Sequence, residues 1–107
     1  MRFDIYGKTK FEQEMLNDPD ILNLVMDETF AKNLYASLCN VIWEKGEETF
    51  SSSWRYAGGV VAHLRNMSAG LNEDYLDFYC SGSEGTVFPE VAEALSNLGW
   101  TPSQYDE

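Results

Sequence analysis

The clearest periodicity in the chain begins at Phe30. Phe30, Ala31, Leu34, Tyr35, Leu38, Val41 and Ile42 recur at spacings of three and four, with Lys32, Asn33, Ser37, Asn40 and Glu44 between them. Such spacing gathers the apolar set on one stripe and predicts a helix over 28–45, capped by Asp27 and ended at Gly46. Upstream, Thr9 followed by Glu12 is the pattern of a capping box, in which each side chain satisfies a backbone amide of the other. It predicts a helix over 10–16 carrying Phe11, Met15 and Leu16. Asp18-Pro19-Asp20 opens a further helix over 19–26, because Pro suits the first helical position and carboxylates favour the positive helix end. Near the other terminus, Pro89 starts a helix over 89–98 with Phe88, Val91, Ala92, Leu95 and Leu98 on one stripe. Gly99 ends that helix, Trp100 is expected to fold back on the core, and 101–107 reads as a polar tail that frays.

Between these helices the period changes. Leu76, Phe78 and Cys80 alternate with Tyr75, Asp77 and Tyr79, which predicts a strand over 75–80. A second strand is expected over 49–53, and a weaker one over 2–6. Trp54, Ala57, Val60, Val61 and Leu64 share an arc and predict a helix over 54–65, followed by a turn region at 66–72. Gly58 and Gly59 interrupt that helix, and each mid-helix glycine costs roughly 0.8–1 kcal/mol relative to alanine. The pair therefore points to close approach by another backbone or to a shorter helix. The order predicts an α+β fold, with a minimal α/β sandwich as the alternative: a small two- or three-stranded sheet packed by helices. If the strands at 49–53 and 75–80 are neighbours, their helical crossover makes them parallel. We read 1–107 as a single domain, with 1–27 a helical addition and 28–100 the core.

Charge changes the picture. Eighteen Asp and Glu face seven Lys and Arg over 107 residues, a formal charge of -11. With 44% hydrophobic residues the chain still has the means to build a core, which argues against intrinsic disorder. Neutralising a nucleic-acid backbone needs clustered Lys and Arg, so binding to phosphates is not expected. The acids fall before Arg55 and after Arg65, and no Lys, Arg or His follows Arg65. Such a distribution reads as a solvated surface, as an acidic face that docks a basic partner, or as a mimic of nucleic acid. The N-terminus lacks the apolar core of a signal peptide, and no run approaches the roughly 20 apolar residues of a membrane span. Cys39 and Cys80 form no C-x-x-C pair, so a cytoplasmic protein with reduced thiols is expected.

Candidate chemistry concentrates between Ser53 and Gly85. Arg55 and Arg65 present planar forks suited to carboxylate or phosphate, beside the small residues Gly58 and Ala62. Either they pair with Asp74, Asp77 or Glu84, or they remain open for a partner. His63 is the sole histidine and a possible proton carrier, although no companion motif accompanies it. Cys80 with His63 as its base is a weak nucleophile–base candidate, since Cys80 shares the apolar strand face. Tyr75, Asp77 and Tyr79 form an aromatic and acidic stripe suited to a protein interface, and an uncovered stripe of this kind permits a homodimer. Glu73, Asp74, Asp77 and Glu84 lack the pattern of a calcium loop, and no nucleotide or zinc motif is present, so neither cofactor nor metal is expected.

The run Ser53-Trp-Arg-Tyr-Ala-Gly-Gly-Val-Val-Ala-His-Leu-Arg65, then Glu73-Asp-Tyr-Leu-Asp-Phe-Tyr-Cys-Ser-Gly82, Glu84-Gly85 and Leu98-Gly99-Trp100, resembles a group of small acidic proteins encoded in bacteriophage, bacterial and marine metagenomic genomes. The resemblance covers about residues 34–100. The group has no assigned activity, so the resemblance implies only a phage-like, cytoplasmic setting. The expected function is a small acidic module that binds another protein. The alternatives are a ligand binder or enzyme built around Arg55, His63, Asp77 and Cys80, and a nucleic-acid mimic that blocks a DNA-binding protein.

Overall fold

A computed structural model describes residues 9–69 and 84–103. The expected strands at 2–6 and 75–80 lie outside the described residues. The helices are α1 (Lys10–Leu16), α2 (Pro19–Leu24), α3 (Glu28–Leu38), α4 (Trp54–Ala69) and α5 (Pro89–Ser96). The strands β1 (Trp43–Lys45), β2 (Glu48–Phe50) and β3 (Thr101–Pro102) form a sheet of order β2-β1-β3, antiparallel throughout. The fold is a small α+β fold, as the order of patterns predicts. α3 is central: it packs against α4 on one side and α5 on another.

The local start signals act as read. Thr9 Oγ1 accepts from the Glu12 amide at 3.2 Å, and the Thr9 amide donates to Glu12 Oε1 at 2.9 Å. Asp18 Oδ1 accepts from the amides of Asp20 and Ile21, and Asp27 Oδ2 from that of Phe30. Each cap satisfies amides that the first helical turn leaves without a partner, a contribution of about 1 kcal/mol.

The expected helix over 28–45 is corrected: it ends at Leu38, and its last part becomes strand β1. Asn40 has φ 63, the left-handed conformation that Asn tolerates better than other residues with a Cβ. Cys39, the C-cap, is already extended, and after the left-handed turn at Asn40 the run Val41-Ile42-Trp43 leads into β1. Gly46 is therefore not a helix end but the first loop residue of a two-residue hairpin, with φ 61 and with Lys45 paired to Glu48. Four separate donors satisfy the last carbonyls of α3. The Cys39 amide reaches the Tyr35 oxygen, and the Gly85 amide reaches that of Ala36. Trp43 Nε1 donates to the Ser37 oxygen at 2.9 Å, and Ser52 Oγ to that of Leu38 at 3.0 Å. Ser37, itself fully buried, donates from Oγ to the Thr86 carbonyl and accepts from the Phe88 amide.

Other boundaries move too. α2 stops at Leu24 rather than 26, and α5 at Ser96 rather than 98. α4 runs four residues beyond the expected end, through part of the predicted turn region. The supposed fraying tail begins with β3, because Trp100 is fully buried and draws Thr101 and Pro102 alongside β1. The double glycine does not break α4. Gly58 sits under the Tyr35 ring, a close approach by a side chain rather than a backbone, whereas a Cβ at Gly59 meets nothing within 4 Å. Trp54 leaves the apolar arc and stands 57% exposed.

Beneath the sheet, Phe11 stacks on Phe50 at 4.1 Å and meets the Trp100 ring edge-on at 5.1 Å. Two acids of α1 tie this aromatic cluster to its surroundings. Glu12, nearly buried, accepts from the Tyr56 hydroxyl at 2.9 Å. Burial, the hydrogen bond to Glu12 and the charge of that carboxylate push the Tyr56 phenol well above its ordinary value. Glu14 accepts from Trp100 Nε1 at 2.9 Å and from Lys45 Nζ at 2.8 Å. Desolvation opposes its charge. The hydrogen bonds from Lys45 and Trp100, with the charges of Lys45 and Lys10, outweigh that cost and hold the carboxyl below its usual range.

Three stability effects are expected. Ser37→Ala leaves the Phe88 amide without its acceptor and should cost about 1–3 kcal/mol in urea unfolding. Gly59→Ala, in open space on a helix, should add about 0.4–1 kcal/mol, and a loss on the same measurement would show that Gly59 faces a neighbour. Because the folded-state value of Glu14 lies below its ordinary 4.5, its contribution is complete above that pH and is lost as pH falls through the lower value. The melting temperature of Glu14→Gln should therefore lie below that of the parent at neutral pH, and the gap should close below pH 4.5. A gap that persists in acid would assign the effect to packing.

Candidate functional site

The helix starts that the acids cap do not point in unrelated directions. α2, the start of α3 and the outer face of α5 enclose an open cleft of about 470 Å³. Its floor is apolar, formed by Ile21, Leu24, Phe30 and Ala94. Its rim carries Asp18, Asp20, Asp27, Glu90 and Glu93, and no lysine or arginine lines it among the described residues. A volume of this order falls within the range of about 300–1,000 Å³ typical of ligand-binding clefts. Leu24 is 38% exposed at the floor, whereas Ile21, Phe30 and Ala94 are buried, so the apolar side chain open to solvent there is Leu24.

The carboxylates stand where helix geometry favours them. Asp18 and Asp27 are N-caps, and Asp20 and Glu90 occupy the first turns of α2 and α5. The partial positive charge of a helix N-terminus favours an acid there by roughly 0.3–1 kcal/mol, which offsets part of their mutual repulsion. Glu90 also accepts a long hydrogen bond of 3.4 Å from Asn33 Nδ2. Asp20 and Glu93 make no hydrogen bond or ion pair with another side chain among the described residues.

A shallower groove adjoins the cleft, shares Asp18 and Asn97 with it, and contains Lys45 and Glu14. Lys45 is the nearest cation to the cleft in this sense, and both of its short contacts go to Glu14. Lys32 pairs with Glu28 one helical turn away at 3.3 Å. Lys32 and Lys45 thus make their ion pairs with acids that do not line the cleft. Among the described residues no group of three or more His, Cys, Asp or Glu side chains is arranged to hold a metal ion.

Of the residues singled out from sequence, the described ones, Arg55, His63, Arg65 and Glu84, do not line this cleft. Arg65 reaches back to the end of α2, where Nη1 donates to the Val25 carbonyl at 2.8 Å. Three residues on, Ser68 Oγ donates to Leu22 O at 2.7 Å, so the two together cap the closing turn of α2. Arg55 is exposed, with its guanidinium 5.8 Å from the centre of the Trp54 ring. It makes no ion pair among the described residues. Arg55 and Arg65 are ten residues apart on α4, roughly 15 Å of helical rise, so they do not form one anion clamp. His63 is exposed on the same helix, and Glu84 is exposed ahead of Gly85. Asp74, Tyr75, Asp77, Tyr79 and Cys80 lie outside the described residues. Cys39 is a free, buried thiol packed in the core.

Sequence reading missed the cleft because it treated Asp18, Asp20 and Asp27 only as helix-start signals, and Glu90 and Glu93 only as acids of the stretch after Arg65. The signal that remained was repetition: each of these helices opens with acids, and none carries a basic residue in its last turn. Only packing shows that the starts converge. No family model, curated protein or solved structure matches the chain.

Proposed function

We propose that the protein is a protein-interaction module that docks a basic segment of another protein in the acidic cleft between α2, α3 and α5. The observation that carries this reading is the rim of five carboxylates, with no lysine or arginine among the described residues that line it, around a floor on which Leu24 is exposed. Complementary charge steers encounter and excludes acidic partners, and it acts mainly on association rate and specificity. Three of the described cations, Lys32, Lys45 and Arg65, make contacts within the fold, and the exposed Lys10 and Arg55 do not line the cleft. An intracellular, phage-like setting belongs to the same proposal.

The test compares two pairs of neutralised acids in titrations with a lysine-rich peptide, followed by amide chemical shifts. Glu90→Gln with Glu93→Gln removes charge from the rim. Glu47→Gln with Glu48→Gln removes the same charge from the exposed hairpin. At roughly 0.2–1 kcal/mol for each exposed pairing, the rim pair should weaken binding about 2–30-fold at low salt. The hairpin pair should change it little. Equal losses from both pairs would show that the peptide responds to net charge alone, and docking at the cleft would be abandoned.

A further inference from the structure

Resting on the docking reading above, we infer that the partner segment carries an apolar side chain between its basic residues, and that this side chain seats on the cleft floor at Leu24. A purely cationic ligand would leave the floor uncovered. The floor combines buried walls, Ile21 at 2% exposure, Phe30 at 5% and Ala94 at 8%, with the open side of Leu24. These walls belong to α2, α3 and α5, and the carboxylates stand around the opening they enclose. Solvent-exposed ion pairs are individually weak and screened by salt, whereas removing an aliphatic side chain from water is neither directional nor salt-weakened. The geometry therefore suits a two-part ligand: lysine or arginine toward Asp20, Asp27, Glu90 and Glu93, with one aliphatic group beneath them.

Two blocked pentapeptides separate this inference from the reading on which it rests. One has leucine flanked by two lysines on each side, and the other has serine in the central place. The leucine peptide should bind about tenfold more tightly, the fold-change expected for burying about half of a leucine side chain. The difference should grow relative to total affinity as salt is raised. Amide shifts should concentrate at Leu24, Phe30 and Ala94 for the leucine peptide. In Leu24→Ser the two peptides should bind alike, because the seat that favours leucine over serine is gone, and a tenfold preference for the leucine peptide that survived this change would overturn the inference. Equal binding of both peptides at the cleft of the parent protein would overturn the inference and leave electrostatic docking intact. Shifts elsewhere, or none with either peptide, would overturn both.

Discussion

The C-terminal turn of α3 sets the constraint on which the rest of the structure depends. A helix end inside a small core leaves carbonyls that water cannot reach, and each must find a donor or weaken the fold. Here the donors are the Cys39 amide, the Gly85 amide, the Trp43 indole and the Ser52 hydroxyl. They come from the residue after the helix, the first strand, the segment beyond the hairpin and the segment leading to α5. One helix end therefore fixes where several later pieces of chain must lie. Trp43 meets this need only if the chain reverses at Asn40 and extends, which explains why the apolar stripe does not continue as a helix to Gly46. Ser37 extends the arrangement by one more layer, since its hydroxyl joins the Thr86 carbonyl to the Phe88 amide and so places the start of α5 against α3.

Once α5 is held there, its first turn and outer face lie opposite α2. The acidic cleft is the result of that placement. Its carboxylates are tolerated for reasons local to each helix, because a cap or a first-turn acid is favoured by nearby amides whatever lies across the gap. Crowding them costs electrostatic energy, but exposure to solvent keeps that cost small. Only Glu93, further along α5, has neither a cap nor a first-turn role. The same local logic disposes of the cations. Arg65 with Ser68 serves the end of α2, and Lys45 serves Glu14. The charge imbalance seen in the sequence becomes a local one at the cleft, where five acids meet no lysine or arginine among the described lining residues.

What could be read from the chain divides along the same line. The caps at Thr9, Asp18 and Asp27 were legible because donor and acceptor lie within three residues of one another. The α3 stripe through Leu38 and the burial of Trp100 were legible from pattern and hydrophobicity. The hairpin was not, because Val41, Ile42 and Trp43 fit either a helical stripe or a strand, and the deciding partners of Trp43 are tertiary. Asn40 was the local hint, since Asn is among the few residues that enter the left-handed region readily. The glycine pair was read as a close backbone approach or a shortened helix, but α4 runs through it and the neighbour of Gly58 is the Tyr35 ring. The cleft was illegible for a different reason: its two walls are separated by some seventy residues of sequence, and nothing in either segment announces the other.

Arg55 and Arg65 show how far residue type alone can mislead about a site. Both are rare cations in an acidic chain, and the sequence offers carboxylates for them to meet. Arg65 instead donates to a backbone carbonyl at the end of a short helix. A guanidinium suits that task because it reaches far along an apolar stem and is weakly hydrated for a cation. A six-residue helix has almost no stability of its own, so its ends must be held by tertiary contacts. Asp18 holds one end of α2 while Arg65 and Ser68 hold the other, and the helix so fixed carries Ile21 and Leu24 to the cleft floor. Arg65 thus bears on the cleft without lining it, by fixing the position of the wall that presents its most exposed apolar side chain.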